Sequence, residues 1–298
     1  MSHTTAFRLA SAAACATLAL ALVACGNANT QQETTQETPV VYDTSTNGGV
    51  ATPAATTSAA TTPTAADPNR DHDFAVDPNN KTEWRTTSDG TNTIWLTFDD
   101  GPSELTSQVL DTLDRYGVKA TFFVTNISPA HANMIGEAYR RGHTIGLHTS
   151  SHDYAKVYAS VDAFYDDLDA IGETVREQIG YVPCFIRFPG GSSNSISANY
   201  TKGIMSTLVD DVQERGYQYF DWNVSCGDGA EGHDAQELAD NSCDTEGYTN
   251  VMLLMHDSAP KQATVDALPK IIEHYQARGY TFKALDRNGF ASHHGVNN

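Results

Sequence analysis

The chain has 298 residues, with 18 Lys and Arg against 37 Asp and Glu, which gives a formal net charge of -19. Its length allows one large domain or two small ones. The acidity argues against a protein that binds nucleic acid or an anionic bilayer through charge, because both ligands require basic protein surface.

The first 25 residues have the pattern of an export signal. Arg8 precedes an apolar stretch, Leu9 to Ala24, that is short for a membrane span. The stretch ends in Leu-Val-Ala-Cys followed by glycine, which resembles the lipobox of bacterial lipoproteins, where the cysteine is lipidated. We predict a lipoprotein-type signal peptide over 1–24, lipidation of Cys25, and a location at the outer face of the cytoplasmic membrane. Cleavage of an ordinary signal is the alternative; a stable anchor would require two or more acyl chains.

Residues 25–82 form a low-complexity segment rich in Thr, Ala and Pro. Such a composition buries too little apolar surface to offset the entropy that is lost on ordering. We therefore predict a flexible or polyproline-II-like tether between the membrane and a folded domain.

From residue 93 onward, short apolar runs alternate with amphipathic helical patterns. The predicted strands are 94–98, 120–125, 144–148, 184–188, 219–224, 251–255 and 280–285. The predicted helices are 104–117, 133–142, 160–180, 204–216, 234–242 and 265–279. This alternation predicts a parallel sheet with right-handed crossovers, and the apolar strands indicate that both of its faces are covered. An open doubly wound sheet and a barrel both fit the pattern.

Ionisable residues stand at the C-terminal ends of the predicted strands. In chain order they are Asp99, Asp100, His148, His152, Arg187, Asp228 and His256. In a closed parallel barrel these strand ends meet around one pocket, whereas in an open sheet the first six strands could not all converge. The positions of these residues therefore favour a barrel with one active site.

His148 and His152 stand at i and i+4, so that on one helical turn both imidazoles would face the same way, as a divalent metal requires. With Asp100 as third ligand they predict an Asp/His/His site. Three protein ligands leave one coordination position open, which is typical of catalytic zinc. Asp99 would then remain free as a base, with its charge compensated by Arg187.

Several segments resemble the motifs of the polysaccharide deacetylases, which are the metal-dependent enzymes of carbohydrate esterase family 4 with a nodulation-type deacetylase domain. They are Thr-Phe-Asp-Asp-Gly-Pro at 97–102, His-Thr-Ser-Ser-His at 148–152, Arg-Phe-Pro-Gly-Gly at 187–191 and Leu-Met-His at 254–256. The resemblance covers about 93 to 286 and implies an α/β fold with a distorted (β/α)7 TIM-like barrel, in agreement with the seven predicted strands. We place the catalytic domain at 83–290 and a solvated tail, with His293 and His294, at 291–298.

The resemblance also implies the roles of individual residues. Asp99 is expected to be the general base, Arg187 to orient it, and His256 to be the general acid. Three residues are expected to bind one divalent metal, zinc first, with cobalt, nickel or manganese as alternatives: Asp100, His148 and His152.

Two positions depart from the family pattern. Many members have Tyr in the third motif where this chain has Gly190, whose backbone N–H would serve an oxyanion hole equally well. The aspartate that bonds the catalytic histidine commonly precedes Trp, and two placements compete here. Asp221 precedes Trp222, whereas Asp228 lies at a loop end beside the other catalytic groups; we favour Asp228.

The activity implied by the resemblance is metal-dependent removal of N-acetyl groups from an extracellular or cell-wall polysaccharide. Because the expected anchor and tether keep the domain near the wall, N-acetylglucosamine of peptidoglycan is the first expected substrate, and chitin-type oligomers are the second. An O-deacetylase such as an acetylxylan esterase is the alternative. A glycan-binding module that has lost activity is disfavoured because every catalytic position is filled.

Five cysteines are present. Removal of Cys15 with the signal and lipidation of Cys25 leave three, and in an oxidising compartment one disulfide and one buried thiol is the simplest arrangement. Cys226 and Cys243 flank a Gly-rich loop and are the predicted disulfide pair, while Cys184, within an apolar strand, is the predicted buried thiol.

Overall fold

The computed structural model describes residues 73–80, 83–245 and 247–298. The predicted signal peptide, the predicted lipidation site Cys25 and most of the predicted tether lie outside these described residues. Within the described ranges, none of the helices combines the length and the hydropathy of a membrane span.

Strands and helices alternate along the described chain, as the sequence pattern predicts. The strands are β1 (Thr93–Asp99), β2 (Thr121–Val124), β3 (Thr144–Leu147), β4 (Phe185–Ile186), β5 (Gln218–Tyr219), β6 (Val224–Ser225), β7 (Asn250–His256) and β8 (Thr281–Phe282). The helices are α1 (Thr106–Tyr116), α2 (Asn133–Arg140), α3 (Tyr154–Val157), α4 (Val161–Ile179), α5 (Ile204–Glu214), α6 (Ala235–Cys243) and α7 (Gln262–Ala277). Two short 3-10 turns lie at Pro129–His131 and Ile196–Asn199.

The strands form one parallel sheet in the order β5-β4-β3-β2-β1-β7-β6, and β8 pairs with the start of β1. The predicted fifth strand is divided in two: β5 pairs with β4, and β6 pairs with β7. Between them the chain changes neighbours, since Phe220 N–H donates to Ile186 O and Asn223 N–H donates to Met252 O. The segment 218–225 thus links the two ends of the sheet, and the predicted distorted barrel is confirmed.

The alternation of side chains along β1 separates the two sides of the sheet. Ile94, Leu96 and Phe98 belong to the large apolar cluster that contains the buried faces of the helices. Trp95 belongs to a second cluster, with Phe123 and other residues of neighbouring strands, that fills the barrel interior. Thr97 and Asp99 share the side of Trp95 in this alternation, so the first carboxylate of the Asp-Asp pair stands above an apolar floor.

The C-terminal residues are packed, and the prediction of a solvated tail is wrong. The His293 ring stacks on Tyr219 with a centroid separation of 3.9 Å. The His294 N–H donates to Asp221 Oδ2 at 2.8 Å, and Asn298 O accepts from the Ser206 N–H at 2.7 Å. Each contact joins the tail to residues about 70 to 90 positions earlier, which a local pattern cannot indicate.

The N-terminal boundary predicted at residue 83 is also too late. Phe74 packs edge-on against Phe185, with ring centroids 5.1 Å apart. Val76 N–H donates to Val182 O at 2.9 Å, and Phe74 and Val76 both pack against the cluster that contains Phe185 of β4. The packed domain therefore includes residues 73–80 and extends through 298.

Candidate active site

The two adjacent aspartates reach the same cavity because the chain leaves the extended conformation between them. Asp99 is the last residue of β1 and points into the barrel, while Asp100 follows with a φ of 67°. In a continuing strand, neighbouring side chains would point to opposite faces. The left-handed backbone at Asp100 brings both carboxylates to one cavity of about 300 Å³ at the C-terminal ends of the strands.

The two histidines also lie close together, as predicted. They do not lie on one helical turn, so that part of the prediction is wrong. His148 follows β3, and residues 148–153 form a loop before α3. Two of its residues have left-handed backbone, Thr149 with φ 63° and His152 with φ 50°. This path brings the two rings to a centroid distance of 4.9 Å.

A carboxylate on a distant helix holds this loop in place. Asp167 of α4 accepts hydrogen bonds from the Ser150 and Ser151 N–H groups at 2.6 and 2.8 Å. Asp167 is not identifiable from the sequence, because it stands in the acidic run Asp166–Asp169 and nothing local distinguishes it from a solvated helix face.

Asp100, His148 and His152 fit a divalent cation. Their ligand atoms all lie within 4.8 Å of one another. Asp100 Oδ1 is buried without a hydrogen-bond partner among the described residues, and it lies 3.6 Å from His148 Nε2 and 3.4 Å from His152 Nε2. A buried carboxylate oxygen without a donor is costly unless a cation compensates it. Two imidazole nitrogens and one carboxylate oxygen are a ligand set that zinc accepts.

The surroundings of His148 keep its metal-facing nitrogen neutral. Its Nδ1 lies 2.7 Å from the carbonyl oxygen of Arg187, so this nitrogen carries the proton and Nε2 carries the lone pair. Burial, together with the neighbouring His152, lowers the pKa of His148 to about 3. The ring is therefore a neutral ligand at physiological pH.

Arg187 is buried and fixes the orientation of Asp99. Its guanidinium lies over the Phe123 ring, 4.3 Å from the centroid. Burial raises the pKa of Asp99 and the Arg187 charge opposes that rise, so the carboxyl keeps a pKa above its ordinary value. A raised pKa suits a group that must accept a proton. The N–H groups of the guanidinium donate to four acceptors: Asp99 Oδ1 and Thr97 Oγ1 at 2.8 Å, Phe220 O at 2.9 Å and Asp221 O at 3.1 Å.

The half-buried His256 and the buried Asp228 form a second pair on the other side of the cavity. His256 Nδ1 lies 2.8 Å from Asp228 Oδ1, and Asp228 Oδ2 accepts from the His256 N–H and from Thr264 Oγ1. Burial disfavours both charges, but the hydrogen bond and the mutual attraction outweigh it. The pKa of His256 therefore rises to about 9, while that of Asp228 lies below its ordinary value. Of the two competing aspartates, Asp228 is the one that contacts His256.

Asp221 instead fixes the loop after Arg187. Its Oδ1 accepts from the Ser192 N–H at 2.8 Å, and its Oδ2 accepts from Ser192 Oγ and from the His294 N–H. The carboxylate is fully buried. It therefore joins the 189–194 loop to the packed C-terminal residues.

Asp221→Asn is expected to lower the free energy of unfolding by about 1–3 kcal/mol. Either orientation of the amide turns its NH2 toward a backbone N–H, from Ser192 or from His294, which leaves buried donors facing each other. Urea unfolding measures the change, with Asp210→Asn at an exposed position as the matched control. Equal stability of the two variants would contradict the buried clamp.

Gly190 lies in this loop and lines the cavity, with a φ of 77°. Its N–H has no acceptor among the described residues, so it remains available to a ligand. A Cβ at this position would lie 2.5 Å from Tyr154 Oη. The Tyr154 side chain thus takes the space into which a side chain at position 190 would project, which accounts for the glycine.

The predicted disulfide is wrong, because Cys184, Cys226 and Cys243 are free thiols in the described part of the chain. Cys226 is buried directly after β6, and its thiol hydrogen-bonds to Asp228. Cys243 ends α6 and is half-buried, near the charges of Arg278 and other surface residues. The thiols of Cys226 and Cys243 therefore lie in different environments. The prediction of a buried thiol at Cys184 is confirmed.

Comparisons with known proteins identify the family of the chain. The polysaccharide deacetylase family profile matches residues 86–208. The chain is 31% identical over 206 residues to a putative polysaccharide deacetylase, YheN, of Bacillus subtilis, covering 66% of this chain and 68% of that protein. It is 34% identical over 201 residues to a bifunctional xylanase/deacetylase of Pseudobutyrivibrio xylanivorans, covering 65% of this chain and 30% of that protein. A crystal structure of the catalytic domain of a peptidoglycan N-acetylglucosamine deacetylase from Eubacterium rectale is 44% identical, with a TM-score of 0.69, and the match covers 74% of this chain and 100% of that one.

Proposed function

Because this chain belongs to the polysaccharide deacetylase family, we propose that it removes N-acetyl groups from N-acetylglucosamine in peptidoglycan, with chitin-type oligomers as further substrates. One observation carries the proposal: a buried base and a charged acid stand on either side of a site that fits a divalent cation. Asp99 is paired with Arg187, and His256 is paired with Asp228. The 44% identity to a named peptidoglycan deacetylase domain supports the choice of substrate.

Hydrolysis of an amide requires an activated water and stabilisation of the charge that develops on the carbonyl oxygen. Asp100, His148 and His152 would hold the divalent cation, zinc first, and the bound ion would supply Lewis-acid polarisation of the carbonyl and a lowered pKa of water. Asp99 accepts a proton from the water while the water oxygen forms a bond to the acetyl carbon. The Gly190 N–H donates to the carbonyl oxygen as negative charge develops there.

The leaving nitrogen needs a proton before the C–N bond can break. His256 faces the cavity through Nε2, which lies 3.9 Å from Asp100 Oδ2, and its Nδ1 is held by Asp228. It donates its proton to the nitrogen, so the products are acetate and a free amine. Asp228 keeps the imidazolium charged and correctly oriented for this step.

Asp228→Asn is expected to lower kcat by about 10²–10⁴-fold, the range for loss of a general acid, and to move the alkaline limb of the pH profile to lower pH. The direction in which the alkaline limb moves follows from the negative charge of Asp228. Ionised Asp228, with smaller contributions from Asp99 and Asp100, raises the pKa of His256 from 6.5 to about 9, so the acid stays protonated below that pH. Loss of the negative charge lowers this pKa. Asp266→Asn on the exposed face of α7 is the control; an unmoved alkaline limb would contradict the pairing.

An O-deacetylase acting on acetylated xylan is the second candidate, favoured by the 34% identity to the bifunctional xylanase/deacetylase. Asp99 and the candidate cation site would also serve the hydrolysis of an acetyl ester. The His256–Asp228 pair favours the amide, because an amine is a poor leaving group without prior protonation.

The proposed location is the outer face of the cytoplasmic membrane. Its support is the resemblance of the Leu-Val-Ala-Cys sequence to a lipobox, and the proposal includes lipidation at Cys25 and a tether that ends before the packed residues 73–80. A domain held in this way would act on the cell's own wall rather than on a distant polymer.

Acetate release from three glycans tests the substrate assignment. Purified peptidoglycan, chito-oligosaccharides and acetylxylan are each incubated with the full chain and zinc. We expect the fastest release from peptidoglycan and slower release from chito-oligosaccharides. Faster turnover of acetylxylan would select the O-deacetylase instead.

A further inference from the structure

A second cavity lies beside the catalytic one. It has a volume of about 240 Å³ and is formed by the loop between β6 and α6 and by the residues at the start of α7. Apolar atoms of Ala230 and Leu238 form part of its wall. Lys261 lines both cavities, and Asp228 of the second cavity is followed directly by Gly229 of the catalytic one, so the two spaces are neighbours on the His256 side of the site.

Lys261 is the sole Lys or Arg among the described residues that line either cavity. Its Nζ donates to the backbone carbonyl of Asp228, and it forms no ion pair with a carboxylate in the described part of the chain. An ammonium group has three N–H donors. Two of them remain for an acceptor supplied by a ligand.

Two carboxylates of the site already have cationic partners, and a third, Asp100, belongs to the candidate cation site. Asp99 pairs with Arg187, and Asp228 pairs with His256. The positive charge of Lys261 is therefore not cancelled by either of these carboxylates. Because the chain carries a net charge of -19, its overall field repels anions, and the Lys261 ammonium attracts an anion only over a short distance. Lys261 therefore affects the position of an anionic group within a bound substrate.

The volume of the catalytic cavity limits how much of a polysaccharide it can hold. About 300 Å³ is at the lower end of the range for small-molecule sites, so the N-acetylated sugar takes the space and adjacent units extend beyond it. Lys261 lines the cavity together with His256, which protonates the leaving nitrogen. An anion at Lys261 therefore belongs to a sugar that flanks the reacting unit on this side.

We propose that Lys261, at the junction of the two cavities, binds a carboxylate carried by the sugar next to the N-acetylated unit. This inference rests on the proposed function and specifies the substrate further. Peptidoglycan alternates N-acetylglucosamine with a sugar that bears a lactyl ether, whose carboxylate is free where the peptide has been removed. Chitin-type oligomers have no carboxylate, so Lys261 discriminates between the two polymers.

Three substrates of equal length test this site with the full chain and zinc. They are a peptide-free alternating oligosaccharide with free carboxylates, the same oligosaccharide converted to carboxamides, and a chito-oligosaccharide. We expect wild-type kcat/KM to favour the carboxylate form over the carboxamide by about fivefold, the effect of a partly exposed ion pair, and added salt to reduce this ratio. Lys261→Met should bring the ratio to about one, and Lys261→Arg should restore most of it.

Lys270→Met is the matched control, since Lys270 lies on the exposed face of α7 and pairs with Asp240 at 3.4 Å. It removes the same charge and should leave the ratio as in the wild type. A wild-type ratio of one, or an unchanged ratio in Lys261→Met, would overturn the inference while acetate release still supports the proposed function. No acetate from any of the three glycans would overturn the proposed function itself.

Discussion

Replacing His148 with alanine is expected to abolish metal binding and to lower kcat by about 10³-fold or more, while the protein remains folded. The cation would lose one of three ligands, and the several kcal/mol of charge stabilisation that such an ion supplies corresponds to at least this factor. His148 is suited to no other role in the proposed reaction, because its Nδ1 is bonded to the Arg187 carbonyl and its Nε2 faces Asp100.

Metal content and turnover are measured on the same preparation of the His148→Ala variant. Circular dichroism checks the fold, and a thermal shift on addition of zinc reports binding independently of activity. His131→Ala is the control, because His131 lies on the surface outside the cavity. A metal-free variant with full activity would show that the Asp/His/His site is not the catalytic one.

The second large effect is expected for Asp99→Asn, with kcat lowered by about 10²–10⁴-fold, the range for loss of a general base. The amide retains an oxygen that can accept from Arg187 Nη1, so the local geometry is kept. It cannot accept a proton from the attacking water. Bound metal should remain, because Asp99 is not one of the three ligands.

Asp100→Asn is the informative partner of this variant, since it replaces the adjacent carboxylate. We expect it to lose metal together with activity, whereas Asp99→Asn loses activity alone. Loss of metal in both variants, or a kcat within tenfold of the wild type for Asp99→Asn, would contradict the division of labour between the two carboxylates.

Residues in regular strands could be placed from the sequence because their side-chain period is local. The alternation in β1 puts Asp99 on the inner face, and the convergence of parallel strand ends brings the remaining groups to it. The proximity of the two histidines was predicted for the wrong reason. It depends on left-handed backbone at Thr149 and His152, and on Asp167 from another helix, neither of which the i, i+4 spacing encodes.

The remaining differences come from long-range packing. The predicted fifth strand is divided because β5 pairs with β4 whereas β6 pairs with β7. Between them, the Asp221 N–H donates to the Ser292 carbonyl oxygen and not to a strand. The ordered C-terminal residues and the free thiols of Cys226 and Cys243 have the same origin, since each depends on a partner distant in sequence. Lys261 belongs to none of the sequence motifs. Its position beside the catalytic cavity depends on the backbone conformation at the start of α7.

The central claim is that the site produces a free amine on peptidoglycan. The most direct measurement is mass spectrometry of muropeptides from purified peptidoglycan after incubation with the wild-type chain and with Asp99→Asn. We predict glucosamine in place of N-acetylglucosamine with the wild type, matched by an equal amount of acetate, and unmodified glycan with the variant. Unmodified peptidoglycan from the zinc-loaded wild type, together with acetate release from acetylxylan, would contradict it.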